Sequence, residues 1–596
     1  MHVALSALDE LWEKEQPLLL LGDWCILYDR ADRVKGLDYE RMPYPWNDRE
    51  RLFSDYGYVN GLYEQWLGGL ADALNRVHGT AYSLRYWRIV VGPWLSCYLQ
   101  VLYERYVCLR TAMAQDGVDS TSILPDDVQI VPTHYRHFLQ LVRGDVYNMV
   151  LYSQLVRRMG GIKYAVRGGV PVAPSDHAAV PARSVSRPLR HTIRRLIAPL
   201  TMRLARGNRV ALLSAPLQFS DYLKLHVKLG QWPIGYVAHH AVSGRRPDRS
   251  LRSQLNFGTP TTVFERLVCD TLPHNIPLVY VEEFERTRRK AARILPRDPR
   301  VIVISSDLIS DDFLKLWIAH QAERGARIVG VQGGGSYGCG KWLSFEDHEM
   351  STVDTYYSWG WDDDRKRNVI PSVALGLLGK RQVRGKPTGK MLCVGNSCSR
   401  YSALLWSCPI GRQQLDYLDE QIRFVQQIKE VYKPLLVYRL YPHEYGWRED
   451  LRLTDAAPWL EVYRGPHSMV DQLRESRLCI GTYNSTTYLA TLAWNYPTVL
   501  FWNPHHWELR PSAQSYFDDL RRVGILHGSP EAAAAQVNAI ADDPMSWWSQ
   551  PHVQEVRERF CRRFARTSEP WLEEWTANLK RFAEGPLNGH PADDRP

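Results

Sequence analysis

The sequence predicts an α/β protein of the doubly wound type, and three observations carry that expectation. Apolar runs of four or five residues recur, each closing in a polar or glycine-containing turn: Val301-Ile302-Val303-Ile304 before Ser305, Arg327-Ile328-Val329-Gly330-Val331 before Gln332, and Met391-Leu392-Cys393-Val394 before Gly395. Runs of this length read as strands, and the longer stretches of helical apolar spacing between them read as helices, so the two alternate. The third observation is Arg477 to Asn503, where Leu478-Cys479-Ile480 and Thr498-Val499-Leu500-Phe501-Trp502 flank a helical stretch as strand, helix, strand. At 596 residues the chain also exceeds one hydrophobic core, so two or three domains are expected.

The turn inside Arg477 to Asn503 is the most informative stretch. Gly481, Thr482, Asn484, Ser485, Thr486 and Thr487 place small and hydroxyl side chains where the first strand ends and the helix begins. Free backbone N–H groups and the positive end of the helix dipole lie there, a place suited to phosphate. The same residue types are ordinary N-caps, so the turn alone leaves a purely structural explanation open.

Composition narrows the class. Apolar content of 45% with 23% charged residues is that of a soluble globular protein. No run approaches a membrane span, and the amino terminus lacks a basic region followed by an apolar core, so a cytoplasmic location is expected. The 10 Cys stand singly, without zinc-site spacing, and are expected as buried thiols; no metal site is expected. With 74 basic residues against 65 acidic, the net charge of +9 permits an anionic partner without demanding one, and nothing points to nucleic acid.

In order along the chain, Leu18 to Leu21 reads as a buried strand, placing Asp23 at its carboxyl end, where ligands collect in open α/β sheets. Pro43 to Glu50 reads as an aromatic and charged loop, and Glu64 to His78, Tyr82 to Arg110 and residues 133–165 as mainly helical. A linker and a basic amphipathic segment follow at about 166–209. There Arg190, Arg194, Arg195, Arg203 and Arg206 accompany apolar residues at helical spacing, a pattern that suits an anionic membrane surface or a solvated helix face.

Strand patterning resumes at Arg209 to Ser214, with Asp221 soon after. The strand ending at Val331 runs into Gln332-Gly333-Gly334-Gly335-Ser336-Tyr337-Gly338, where backbone without Cβ atoms admits a ligand closely. Glu346, Asp347, His348 and Glu349 follow, and a carboxylate or imidazole there suits removal of a proton from an attacking hydroxyl. Lys380 to Lys390 reads as a linker. Beyond it, Asn396, Ser397 and Arg400 follow one strand, Arg439 and His443 close another, and both basic groups suit phosphate. Residues 585–596 are polar with Pro and Gly and are expected to be disordered.

Seven stretches spanning nearly the whole chain carry a resemblance: LGDWC, YPWNDRE, YWRIVVGPWL, GGGSYG with FEDHE and YSWGW, NSCSRYS, YRLYPHEYGW, and STTYLATLAWNYPTVLFWNPHHWELR. The sequence resembles transferases encoded in bacterial O-antigen and surface-polysaccharide clusters, distantly similar to GT-B-fold capsule glycosyltransferases that use CMP-activated ulosonic acids. The resemblance implies a GT-B-like fold of two Rossmann-like domains facing a cleft, with a helical N-terminal elaboration. It places an acceptor-side domain at residues 1–385 and a nucleotide-sugar domain at 386–580. Related sequences carry a His directly after the Gln of the glycine turn, whereas Gly333 stands here, so His348 or another group would have to supply any role that His has.

The implied activity is metal-independent transfer of a sugar from a nucleotide-sugar donor, with no other cofactor, to a lipid-linked or polymeric glycan such as O-antigen, lipopolysaccharide or capsule. The implied donor set is Asn396, Ser397, Arg400, Arg439, His443, Asn484, Ser485, Thr486, Thr487 and Glu508. Gly333, Gly334, Gly335 and Tyr337 line the cleft, and Glu346, His348, Asp23 and Asp221 are the candidate catalytic groups. Peripheral contact with the inner face of the cytoplasmic membrane fits such an acceptor. Transfer of a polyol phosphate from a CDP-linked donor, or a non-catalytic role in glycan assembly, are the alternatives.

Overall fold

A computed structural model describes residues 1–169, 198, 200–236, 245–378 and 383–585. Arg190, Arg194 and Arg195 of the basic segment, and all but Gly585 of the expected tail, lie outside these. The fold is mixed α/β with three parallel sheets. The first orders its strands β3-β2-β1-β4-β5, with β1 His2–Ala4, β2 Leu18–Leu20, β3 Tyr39–Arg41, β4 Ser120–Ile123 and β5 Lys163–Val166. The second runs β10-β9-β8-β7-β6, with β6 Val210–Leu212, β7 Val301–Ile304, β8 Arg327–Val331, β9 Thr355–Ser358 and β10 Val369–Pro371. The third runs β13-β12-β11-β14-β15-β16, with β11 Lys390–Val394, β12 Leu436–Arg439, β13 Glu461–Tyr463, β14 Ser476–Gly481, β15 Thr498–Phe501 and β16 Leu526–His527.

These orders differ in a way that matters for binding. In the third sheet the order reverses between β11 and β14, the Rossmann arrangement, and such a reversal opens a crevice at the carboxyl ends of the two strands. The first sheet reverses between β1 and β4. The second follows chain order throughout and has no reversal. Residues 1–385 thus hold two sheets where one domain was expected. Of the first, the sequence showed β2, as Leu18 to Leu21, but β1 and β3 are only three residues long, and β5, read as helix within 133–165, is exposed along its length and carries no apolar run.

The helical N-terminal region is built on two long helices, Arg49–His78 and Leu84–Met113. Asp48 caps the first by accepting from the N–H groups of Glu50 and Arg51, and Gly79 ends it in the left-handed region at φ 61°. This helix begins fifteen residues before the expected Glu64, because the charged first turn hides an apolar stripe that starts at Leu52. In the second, Ser83 accepts from the Tyr86 N–H, and nearly every residue from Tyr86 to Leu109 is buried between the first and second sheets. A helix buried on nearly all sides is a core element, which explains the weak periodicity of its sequence, and its buried Glu104 and Arg105 are paired at 2.7 Å.

The chain finally crosses back. Helix Trp571–Glu584 leaves the third sheet and packs on the second, where Trp575 and Leu579 join Val210, Val301, Val303 and Val329. Trp575→Ala should therefore cost about 3–5 kcal/mol, as deletion of a large buried aromatic does, read as a lower urea midpoint of a transition that includes the second sheet. A loss under about 1 kcal/mol would show that the returning helix contributes nothing to that core.

Candidate functional site

At the reversal of the third sheet, β11 stands between β12 and β14, with Val394 paired to Arg439 on one side and Gly481 on the other. Those two residues are therefore two strand spacings apart, about 10 Å. Thr482 donates to the Val394 carbonyl and shares a hydrogen bond with Tyr417, whose hydroxyl accepts from the Asn396 N–H at 2.8 Å. This network fixes the floor of the crevice. Helix Thr486–Ala493 starts beside it, and Ser485, at the N-cap position, makes no side-chain capping bond. The structural explanation for Ser485 therefore finds no support in its geometry. Ser485, Thr486 and Thr487 are all half-exposed.

Arg439 closes β12 on the same edge. It donates to the His467 carbonyl at 3.1 Å and to Gln472, and makes no ion pair among the described residues. Burial pulls its pKa down, the mark of a guanidinium held out of water without a carboxylate. Tyr483 links it to the helix start: its hydroxyl shares a 2.6 Å hydrogen bond with Thr487, while burial pushes the phenol up to about 12 against the pull of that bond and of Arg439. Arg439 and the uncapped helix start both offer donors and positive potential of the kind that suits an anion.

The glycine turn of the second sheet meets this edge directly. Gly335 donates to the Thr486 hydroxyl at 2.8 Å, and a Cβ on Gly335 would collide with the Ser485 carbonyl carbon and the Thr486 nitrogen. Gly334 also faces Thr486, and Gly333 approaches the Ser305 and Ser306 hydroxyls at the end of β7. Gly338 has φ 75° and lies against Trp361. Gln332 sets the turn: its side-chain oxygen accepts from the Trp359 N–H and the Trp361 indole, each at 2.8 Å, and its amide donates to the Gly334 carbonyl.

Several expected site residues are placed elsewhere. Glu508 forms a bidentate ion pair with Arg49, both distances 2.7 Å, and joins the first helix to the third sheet's body. Arg400 is fully buried, donating to the Trp24 carbonyl and pairing with Asp145 at 2.8 Å. Burial works to raise the Asp145 pKa, yet Arg400 and Tyr401 hold it below the ordinary range. Arg400, Tyr401 and Asp145 form one cluster beyond the ends of β1 and β2, where Asp145 also accepts from the Ala7 N–H. Ser397 donates to buried Glu449, and Asn484 accepts from Tyr488 at 3.0 Å. Their polar groups were read as donor contacts because sequence does not show which strand-end loops turn inward. His443 is exposed, near Tyr441 and Tyr445.

The catalytic candidates fare unevenly. Glu346 is buried, accepting from the Gly338 N–H at 2.7 Å and from Arg510 at 2.6 Å, so it braces the glycine turn from beneath. His348 lies beside Gly92 of the second long helix with neither ring nitrogen hydrogen-bonded, and burial drops its pKa to about 3. It packs in the interior, and this placement gives no support to its standing in for a His at 333. Asp23 bridges Arg41 at 3.3 Å and Arg412 at 3.1 Å. Asp221 pairs with Lys224 at 3.0 Å in the first turn of the helix that follows β6. That turn lies on the carboxyl edge of the second sheet, two strands from the glycine turn. Tyr337 points inward, its hydroxyl 3.4 Å from Glu349.

Glu349 was noted in the sequence only as one of an acidic group. It accepts from Tyr356 at 3.0 Å and makes no ion pair among the described residues, and burial pushes its carboxyl up to about 8. No group of three His, Cys, Asp or Glu side chains suited to a metal occurs among the described residues. All ten cysteines are free thiols, most of them buried.

Residues 1–579 match the sequence profile described as LIC12162 family transferase. The chain belongs to the LIC12162 transferase family. No curated protein matches it significantly. Among solved structures, this LIC12162 family member is similar to α,α-trehalose 6-phosphate synthase from Burkholderia multivorans at 12% identity and TM-score 0.30, covering 51% of this chain and 77% of that one. It is similar also to WaaG, a glycosyltransferase involved in lipopolysaccharide biosynthesis, at 11% identity and TM-score 0.25, covering 50% and 95%. Both likenesses are remote, and the assignment as a transferase rests on the family match.

Two carboxyls under the turn give opposite expectations. Glu346→Gln removes the charge paired with Arg510 at 2.6 Å but leaves Asp363 3.9 Å from it, and should cost about 1.5–3 kcal/mol in urea unfolding; an unchanged midpoint would free Glu346 for a chemical role. Glu349 ionises near pH 4.5 when unfolded and near 8 when folded. Between those values the folded state keeps a proton that the unfolded state has lost, so stability falls as pH rises. Glu349→Gln should flatten the stability profile across pH 4.5–8, and a profile parallel to that of the unaltered protein would exclude the assignment.

Proposed function

We propose that this transferase moves a glycosyl group from a nucleotide-activated donor to a growing bacterial surface glycan such as O-antigen or capsule, in a GT-B-like cleft between the second and third sheets. The observation that carries the reading is Arg439. It is a half-buried guanidinium with no carboxylate partner among the described residues, on the sheet edge where strand order reverses and beside a helix start whose N-cap side chain makes no capping bond. Departure of a nucleoside phosphate or diphosphate leaves negative charge on the leaving oxygen. Arg439, the first-turn N–H groups and the Ser485 and Thr487 hydroxyls supply positive potential and donors for it. The sequence resemblance favours a CMP-linked ulosonic acid as the donor.

The acceptor enters from the second sheet's side, along Gly333 and Gly334, where half-exposed backbone borders the Ser305 and Ser306 hydroxyls. The attacking hydroxyl must lose its proton as the new bond forms. Glu346 is held by Arg510 and His348 is buried away from solvent, so Asp221, on the same sheet edge as the glycine turn, is the base this reading selects. Its carboxylate pairs with Lys224 at 3.0 Å.

Ser485→Ala separates binding from stability. Because Ser485 makes no capping bond, the variant should melt close to the parent, while loss of a hydrogen bond to a charged oxygen, worth about 1.5–3 kcal/mol, weakens nucleotide binding roughly 10- to 150-fold. Arg439→Ala should weaken it at least as much. Calorimetric titration with CMP, CDP and UDP, alongside thermal unfolding, checks both. Unchanged affinity in both variants would remove the donor from this edge, and a phosphodiester in the isolated product would replace glycosyl transfer with polyol-phosphate transfer.

A further inference from the structure

β6 is the edge strand of the second sheet and is itself buried, but the segments flanking it expose apolar side chains. Val227 is 78% exposed, Trp232 58% and Leu204 44%, on three different segments. Hydrogen bonds bring those segments together: Asn208 donates to the Trp232 carbonyl at 2.7 Å, and the Gln231 amide donates to the Val210 carbonyl at 2.8 Å while the Gln231 N–H donates to the His226 carbonyl. The three segments thus meet near the amino-terminal end of β6. On helix Phe219–Lys228 the stripe Phe219, Leu223, Val227 at i, i+4, i+8 faces outward, since the opposite side, with Leu225, packs on the returning helix.

Positive charges are interleaved with this apolar surface, and the exposed acid of the adjoining loop, Asp298, is already paired with Arg324. Arg203, Arg209 and Lys228 are exposed beside Leu204, Val210 and Val227, and none makes an ion pair among the described residues. The one acid of helix Phe219–Lys228, Asp221, is buried and already paired with Lys224. A protein partner would need matching acidic side chains around an apolar centre. A bilayer of anionic phospholipid offers both at once, headgroup charge for the cations and acyl boundary for Val227, Leu204 and the indole. No helix among the described residues is long and apolar enough to span a membrane, so any contact through this face is interfacial.

We propose that the β6 edge is a docking surface for anionic phospholipid, with Leu204, Val227 and Trp232 entering the interface and Arg203, Arg209 and Lys228 reading the headgroups. The proposal is independent of the donor site, which lies on the third sheet. The full chain should float with vesicles of phosphatidylglycerol and phosphatidylethanolamine, and remain at the bottom with phosphatidylcholine alone. Raising salt from 0.1 to 0.5 M, conditions chosen around the Debye length, should release it. The double variant Val227→Glu/Trp232→Glu, at solvent-exposed positions, should lose at least about tenfold in bound fraction while its thermal melting and nucleotide titration match the parent. Arg209→Glu/Lys228→Glu should lose the preference for anionic vesicles. The inference is overturned if the parent does not float with anionic vesicles, if both variants float as it does, or if Val227→Glu/Trp232→Glu instead dissociates a dimer seen by light scattering in the absence of lipid.

Discussion

The backbone of Gly335 lies against the backbone of Ser485 and Thr486, and the geometry of the candidate site depends on that contact. With any side chain at 335 the turn would be forced off the helix start. The Gly335 N–H bond to Thr486 would break, and the carboxyl edges of the second and third sheets would separate. Only a residue without Cβ permits the approach. One wall of the proposed cleft is thereby set by the hydroxyl and N–H groups of a helix start and the other by bare backbone.

A second layer of interactions holds this contact in place. Gln332 ties the turn to Trp359 and Trp361 from above, and Glu346 with Arg510 ties it from below. Further out, Arg49 with Glu508 and Arg400 with Asp145 clamp the first sheet and its long helices to the body of the third. Buried ion pairs contribute little net stability, because desolvation offsets most of their attraction, but breaking one is costly and each fixes a single relative position. Beyond the ends of β1 and β2 in the first sheet lies such a clamp. The reversal crevice of the third is floored by Thr482 and Tyr417 and bordered by Arg439, which makes no ion pair among the described residues. Two sheets with the same kind of reversal therefore serve different ends, one as a joint and one as a candidate binding site.

Charge placement follows the same division. Carboxyls beneath the turn are either paired, as Glu346 is, or kept protonated by burial, as Glu349 is to about pH 8. His348 is kept neutral by the same means. Negative charge is thus withheld from the underside of a site read as binding phosphate, while Arg439 and the helix dipole supply positive potential at its mouth. The basic groups of the β6 edge are separate from these and exposed.

Much of the architecture was legible in the sequence because buried parallel strands announce themselves. Val301–Ile304, Arg327–Val331, Lys390–Val394 and Thr498–Phe501 are continuous apolar runs closed by polar turns, and all four are strands within a residue of the expected limits. The three-residue β1 and β3, and the solvent-exposed β5, lacked that signal. Sequence also located the hydroxyl turn at Ser485, the glycine turn and Arg439, since helix starts and strand ends are local features. It could not tell which polar groups at those ends are consumed by partners hundreds of residues away, as Glu508 is by Arg49, Arg400 by Asp145 and Glu346 by Arg510. Nor could it place His348 behind the long helix at Gly92. Local periodicity and turn chemistry determined the elements and the edges where ligands collect; which charges remain unpaired there was decided by the packing of three sheets, because pairing depends on distances that only the folded chain sets.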